Sequence, residues 1–282
     1  MNFRSVNDLR NSIFKNIAYL PRDIDLVVGI PRSGMLPATL MALYMNTLLT
    51  DFESYLKGEC FNVGRTRKKF VQSTKKSDIS RKVIIIDDSS CTGSQLKMCK
   101  KKLATVLPNN IDKIIWCVPY ITKRVASNVD IYFEIIEYPR FFEWNMMSNK
   151  CLDSCCMDID DVLTVSGNRM DPPTILPLDQ LKPLYLPTRK IPHLVSCRLE
   201  KEREITEKWL REHNVEYGEL HLMNYNTKVE RRKDNKYGEY KAKVFMDTGM
   251  KLFIESSERQ AKKIYHITKK PVLCVDTMVL YK

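Results

Sequence analysis

Asp87 and Asp88 end a run of four β-branched apolar residues, Val83-Ile84-Ile85-Ile86, and the small-residue turn Ser89-Ser90-Cys91-Thr92-Gly93-Ser94-Gln95 follows them. Such a run reads as a buried parallel strand, which delivers its last residues to the carboxyl edge where open α/β sheets bind ligands. Two adjacent carboxylates at that edge can accept hydrogen bonds from a pair of hydroxyls. The turn adds backbone N–H groups and hydroxyls at the start of a helix, a cradle for a phosphate. A sugar phosphate matches both halves: the acids suit its ring hydroxyls, and Cys91, Thr92, Gly93, Ser94 and Gln95 suit its phosphoryl group.

Two further places carry chemistry. Residues 25–30 form an apolar strand that runs into Pro31-Arg32-Ser33-Gly34, a second anion-binding corner. Another apolar strand ends in Asp158-Ile159-Asp160. Carboxylates two residues apart can divide labour, the first attacking phosphorus and sharing Mg²⁺ while the second protonates the leaving oxygen.

The strand, acid pair, turn and helix at 83–95 resemble the ribose-phosphate signature of type I phosphoribosyltransferases. The resemblance implies that Asp87 and Asp88 hold the ribose hydroxyls of phosphoribosyl pyrophosphate and that loop 92–95 holds its 5-phosphate. It also implies that Arg32, Ser33 and Gly34 hold the pyrophosphate together with Mg²⁺, in a loop that often carries a non-proline cis peptide in relatives. Gln95 stands where Thr is common, and Ser94 where Gly is frequent. The basic stretch Gly64-Arg65-Thr66-Arg67-Lys68-Lys69, with 73–77 beyond it, resembles the loop that closes over substrate in that family. Which of Arg65, Arg67, Lys68 and Lys69 would reach the substrate is left open.

The second half resembles a different family. The pattern Asp158-x-Asp160-x-Val162-Leu163 is similar to the first motif of haloacid dehalogenase-like phosphatases. The stretch from Ser196-Cys197-Arg198 to Trp209-Leu210 resembles the phosphatase domains of polynucleotide-kinase-type proteins. This implies Asp158 as nucleophile, Asp160 as acid and then base, and Ser196, at the end of a strand over 191–195, as a ligand of the transferred phosphoryl group. Lys241 would neutralise the phosphoryl-aspartate, and Asp158, Asp160 and a longer-armed Glu255 would hold Mg²⁺. No second acid follows Glu255, and Ser257 with Gln260 makes a helix capping box. The proline-rich segment between Asp160 and Ser196 leaves no room for a cap domain, so the site is expected to be uncapped.

The elements that must position these residues fit the bulk properties. A chain of 282 residues accommodates two α/β domains, expected at 1–150 and 151–282, each built on an open parallel sheet. A helix is expected over 37–49, and another after Ser94 that buries Leu96, Cys99 and Leu103 and exposes its lysines. Strands are expected near 114–118 and 131–136, and the charged tract 228–235 reads as an exposed loop. The aromatic stretch 137–145 suits either stacking on a planar base or plain packing.

The net charge of +12 is concentrated before residue 150, which suits a pyrophosphate-bearing substrate. Nucleic acid is a permitted but unfavoured partner, because no RNA-recognition aromatic motif or zinc-finger spacing is present. No apolar stretch has the length of a membrane span, and the N-terminus lacks a secretory signal, so no membrane partner and a cytoplasmic location are expected. Nine scattered cysteines, among them Cys117, Cys156 and Cys274 in apolar runs, fit buried reduced thiols. Cys151, Cys155 and Cys156 cluster without a second cluster or paired histidines, so zinc is not expected. The reading is a bifunctional enzyme that transfers phosphoribose to a base or other acceptor and hydrolyses a phosphate ester, compatible with a homodimer. Its alternatives are a non-catalytic nucleotide- or RNA-binding regulator, and a nucleic-acid end-processing phosphatase with a ligand-sensing N-terminal domain.

Overall fold

The computed structural model describes residues 1–61, 82–166 and 177–282, which fall into two compact units, Asn2–Tyr138 and Pro139–Lys282 with Met1. The basic stretch containing Arg65, Arg67, Lys68 and Lys69 lies outside the described residues, as do Pro172 and Pro173.

In the first unit the chain forms α1 (Val6–Asn16), β1 (Ile24–Gly29), α2 (Met35–Met45), β2 (Leu48–Asp51) and α3 (Phe52–Leu56). It continues with β3 (Lys82–Ile86), the two-residue β4 (Ser89–Ser90), α4 (Ser94–Val106), β5 (Ile114–Ile121) and β6 (Ile131–Ile135). The strands lie in the order β2-β1-β3-β5-β4, with β6 also on β5, and every pairing is parallel. A parallel sheet covered on both sides needs strands without a polar face, and β1, β3 and β5 supply Val27, Val28, Ile84, Ile85, Ile86 and Cys117, all sealed from solvent. Leu96, Cys99 and Leu103 of α4 join Val28, Ile85 and Trp116 in one core, as the helical spacing requires.

Local signals set the helix ends. Ser5 and Asp8 close a reciprocal capping box on α1, and Asp51 accepts from the N–H groups of Glu53 and Ser54 at the start of α3. The helix expected over 37–49 stops at Met45. Asn46 takes the left-handed conformation (φ 58°), and the chain re-enters the sheet as β2. A continuous apolar run concealed that boundary, since helix and buried strand are equally apolar.

The second unit contains β7 (Cys155–Met157), β8 (Ile191–Leu199), α5 (Arg203–Glu212), β9 (Tyr217–Met223), α6 (Lys228–Asp234) and α7 (Tyr237–Asp247). Then come β10 (Leu252–Glu255), α8 (Glu258–Thr268), β11 (Val272–Cys274) and β12 (Val279–Tyr281). The strand order is β9-β8-β7-β10-β11-β12, parallel except for the final strand. Ala242 and Phe245 of α7 and Ala261 and Ile264 of α8 pack on Cys156, Val195 and Phe253. Trp209 of α5 is fully buried, and its indole N–H donates to the Leu181 carbonyl at 2.7 Å.

Two further expectations are corrected by the second unit. The tract 228–235 is not a loop: Thr227 caps Glu230 N–H and starts α6. The strand expected over 191–195 runs on to Leu199, so Ser196 lies inside it, where the pairing with β9 shifts register between Val195 and Leu199. Between β7 and β8 the described residues hold only the antiparallel pair Thr164–Val165 with Lys182–Pro183 and a short turn of helix, Leu178–Gln180.

Candidate functional site

The first site is built by two neighbouring strands. β1 and β3 pair with Gly29 opposite Ile86, so the segments that follow them leave the sheet side by side. Ile30 N–H donates to the Ile86 carbonyl at 2.9 Å and ties turn 31–34 to the end of β3. Gly34 is required by that approach: a Cβ there would lie 2.5 Å from the Ile30 oxygen and 2.8 Å from the Ile86 oxygen. The Pro31–Arg32 peptide bond is cis, and Arg32 is exposed.

Asp87 and Asp88 leave the end of β3 as expected, 9% and 6% exposed. Asp88 N–H donates to Asp87 Oδ1 at 2.9 Å, and the Ser89 hydroxyl donates to Asp88 Oδ2 at 3.1 Å. Burial, followed by the charge of Asp88, pushes the Asp87 carboxyl up to about 8. A buried acid pair of this kind favours whatever brings hydroxyl donors or a cation to it.

The turn beyond is anchored from the next strand. Thr122 N–H donates to the Ser90 carbonyl at 3.2 Å, and the Thr122 hydroxyl donates to the Cys91 carbonyl at 2.9 Å. Gly93 then takes φ +76° and starts α4, a helix of 13 residues with no side-chain cap and no acid in its first turn. The Thr92 and Ser94 hydroxyls lie 2.9 Å apart, and both residues are exposed with Gln95. An uncapped helix start with exposed hydroxyls is a donor set for an anion. The structure thus brings Arg32, Ser33, Gly34, Asp87, Asp88 and residues 91–95 to one carboxyl edge. The acid pair supplies oxygen donors of the kind Mg²⁺ accepts.

In the second unit Asp158, Asp160, Ser196, Lys241 and Glu255 also converge, but their oxygens are already engaged. Lys241, 1% exposed, places Nζ 2.7 Å from both Asp158 Oδ2 and Glu255 Oε2. Glu255 Oε1 accepts the N–H groups of Ser256 and Ser257, each at 3.0 Å. Glu255 is therefore the residue that fixes Lys241, and its oxygens are not turned toward a shared metal. Burial drives the Asp158 carboxyl well above the usual range; Lys241 opposes this, while Glu255 and Asp160 add to it. Burial lowers the Lys241 ammonium but the two carboxylates outweigh it, so the lysine stays charged.

Asp160 is held by Arg198, a residue the sequence reading passed over. The guanidinium, 3% exposed, donates to both Asp160 oxygens, the shortest contact being 2.8 Å, while Thr206 fixes its other arm at 3.1 Å. Ser196 points its hydroxyl at Asp160 Oδ2, 3.1 Å away. Burial pushes the Asp160 carboxyl up, but Arg198 and Ser196 win and hold it below the ordinary range. Arg198 shares the strand with Ser196, two residues away and so on the same face, and both meet Asp160. Three carboxylates carrying two buried cations do not fit the Mg²⁺ set of Asp158, Asp160 and Glu255.

A pair of histidines that sequence spacing did not show meets in the fold. Strand register places His193 of β8 and His221 of β9 with their ring nitrogens 3.1 Å apart. Phe141 and Phe142, from the aromatic stretch, are buried, while Tyr138 is exposed. No cysteine forms a disulfide, and Cys99, Cys117, Cys155, Cys156 and Cys274 are buried. No helix among the described residues is long and apolar enough to cross a membrane.

No family model matches the chain, and no curated protein does. Solved structures do. The purine phosphoribosyltransferase from Pyrococcus horikoshii Ot3 is 17% identical over 51% of this chain and 92% of its own, with a TM-score of 0.37. The Helicobacter pylori xanthine-guanine-hypoxanthine phosphoribosyltransferase is 12% identical over 51% of this chain and 93% of its own, also at 0.37. A Trypanosoma brucei adenine phosphoribosyl transferase, in complex with AMP, pyrophosphate and ribose-5-phosphate, is 14% identical over 46% and 63% of the two chains, at 0.29. These likenesses lie in the N-terminal half.

Proposed function

We propose that the first unit is a phosphoribosyltransferase that uses phosphoribosyl pyrophosphate as donor. The observation that carries this reading is the pairing, on one strand end, of two buried carboxylates with an uncapped 13-residue helix start. Asp87 and Asp88 accept hydrogen bonds from the ribose diol, and the amides and hydroxyls of residues 92–95 hold the 5-phosphate. Arg32 faces the pyrophosphate from turn 31–34, and its charge stabilises the departing group. Mg²⁺, when bound near the acid pair, neutralises charge on the diphosphate. As pyrophosphate leaves, the carboxylates stabilise positive charge on the ribosyl ring while a nitrogenous base or other acceptor attacks. The test is isothermal calorimetry with the Mg²⁺ complex of the donor, paired with pyrophosphate release across a panel of bases. Release that is lost in Asp88→Asn supports transfer, and binding without release to any acceptor supports the regulator reading instead. Absence of binding overturns both.

A second reading concerns the other unit: a phosphate-ester site of the haloacid dehalogenase-like kind. It is favoured by the Lys241 bridge between Asp158 and Glu255, which holds buried carboxylates at the carboxyl ends of two adjacent central strands. Asp158 would attack phosphorus once deprotonated, and Asp160 would move the proton of the leaving oxygen after release from Arg198. Hydrolysis of a generic phosphate ester that Asp158→Asn abolishes supports it, and hydrolysis unchanged by that variant removes it.

A further inference from the structure

We propose that His193, Glu219 and His221 form a three-ligand binding site for a divalent transition-metal ion of the zinc class. The site lies on the β8–β9 edge of the second unit's sheet. In the β8–β9 register His193 lies opposite Glu219, and His221 is two residues further along, so all three side chains share one face. His193 stands three residues before Ser196 on β8, roughly 10 Å along the strand from it, so this cluster is separate from the Asp158 site.

The distances are those of a tetrahedral edge. Metal–ligand bonds of about 2.0–2.1 Å in a tetrahedron separate neighbouring donor atoms by about 3.3 Å. Here His193 Nδ1 and His221 Nε2 are 3.1 Å apart, and Glu219 Oε2 lies 3.4 Å from the His221 nitrogen and 3.7 Å from the His193 nitrogen. Hydrogen bonding alone serves this triangle poorly. Two neutral imidazoles can share one proton, but neither of these two nitrogens then has a hydrogen to give the facing Glu219 carboxylate. If both nitrogens are protonated, their hydrogens crowd each other across 3.1 Å. A cation at the centre satisfies all three lone pairs together.

The surroundings agree. Arg203 is the nearby cation, and its guanidinium is engaged by Glu200 and Glu207. Two imidazoles and one carboxylate are a borderline donor set that suits Zn²⁺, Co²⁺ or Ni²⁺ over Mg²⁺ or Ca²⁺. The fourth tetrahedral position is left to solvent, the arrangement of an open site.

Titration of the full chain with Co²⁺ reads the site directly. One equivalent is expected to bind with the visible d–d absorption of tetrahedral nitrogen and oxygen ligation, without a near-ultraviolet thiolate band, and Zn²⁺ should displace it. His193→Ala and His221→Ala should each weaken binding by at least about a hundredfold, beyond what loss of an outer partner does. His193→Gln, which keeps the side-chain volume, carries the same test if an alanine variant fails to fold. Zn²⁺ should raise the melting temperature of the natural chain and leave that of either histidine variant unchanged. No saturable binding at micromolar metal, a thiolate charge-transfer band, or affinity unmoved by both histidine variants overturns the proposal.

Discussion

Asp87→Asn is the perturbation that tests the acid pair most directly. With the Asp87 carboxyl pushed up to about 8, the native state binds one more proton than the unfolded chain between pH 3.8 and about 8. Stability therefore falls as pH rises through that window and levels off above it, by at most about 1.4 kcal/mol per pH unit. From pH 5 to pH 7 the natural chain loses up to about 2.7 kcal/mol through this group. Asparagine has no such dependence, and its Oδ1 can still accept the Asp88 N–H that Asp87 accepts at 2.9 Å. The stability of the variant relative to the natural chain should thus grow by about 2–3 kcal/mol between pH 5 and pH 7. Urea unfolding at each pH checks this, read by hydrogen exchange of peptides spanning β3 so that the first unit is followed by itself. A difference that stays constant within about 0.5 kcal/mol across that range would refute the reasoning.

Three other outcomes follow from the geometry. Gly34→Ala should destabilise the first unit by about 3 kcal/mol or more, because its Cβ meets two carbonyl oxygens within 2.8 Å. Gly58→Ala, with φ +75° and no atom within 4 Å, should cost only about 1 kcal/mol, and equal melting shifts would contradict this account. Lys241→Met leaves Asp158 and Glu255 buried without their cation, so stability near neutral pH should drop by about 3–5 kcal/mol. That loss should shrink on acidification as Asp158, whose carboxyl burial already pushes up, takes up its proton, which unfolding at pH 5 and pH 8 measures. Arg198→Met removes the charge that holds Asp160 down, so the alkaline limb of any pH–rate profile for ester hydrolysis should move to higher pH; an unmoved limb argues against Asp160 as the acid.

What the sequence made legible were features written in contiguous residues. The apolar run 83–86 could only be a two-sided buried strand, so Asp87, Asp88 and the turn beyond them had to reach its carboxyl edge. The break after Met45 was hidden because the residues on both sides of Asn46 are apolar whether wound or extended. Arg198 and the His193–Glu219–His221 triangle were hidden for another reason. Their partners lie 38 and 26–28 residues away, and only strand register decides who meets whom. Glu255 looked like a metal ligand because a carboxylate at a strand end is one in either role. Its two oxygens had to be traced to Lys241 and to two amides before that role changed.

The two acid clusters differ in where their counter-charge comes from, and this difference carries a functional consequence. In the first unit the groups that set Asp87's acidity are burial and Asp88, neither of them a cation. Its charge is balanced by a proton, so if the proposed donor and its metal bind there, binding should expel a proton near neutral pH and raise stability. In the second unit Lys241 and Arg198 already sit on the carboxylates, and the cluster is neutralised by the chain itself. A phosphate ester entering that site has to draw Arg198 or Lys241 away from an existing partner, and the gain is only the difference between two ion pairs. Ligand affinity should accordingly be steep in the first site and shallow in the second. Proton release, measured by calorimetry in buffers of different ionisation enthalpy, should accompany binding at Asp87.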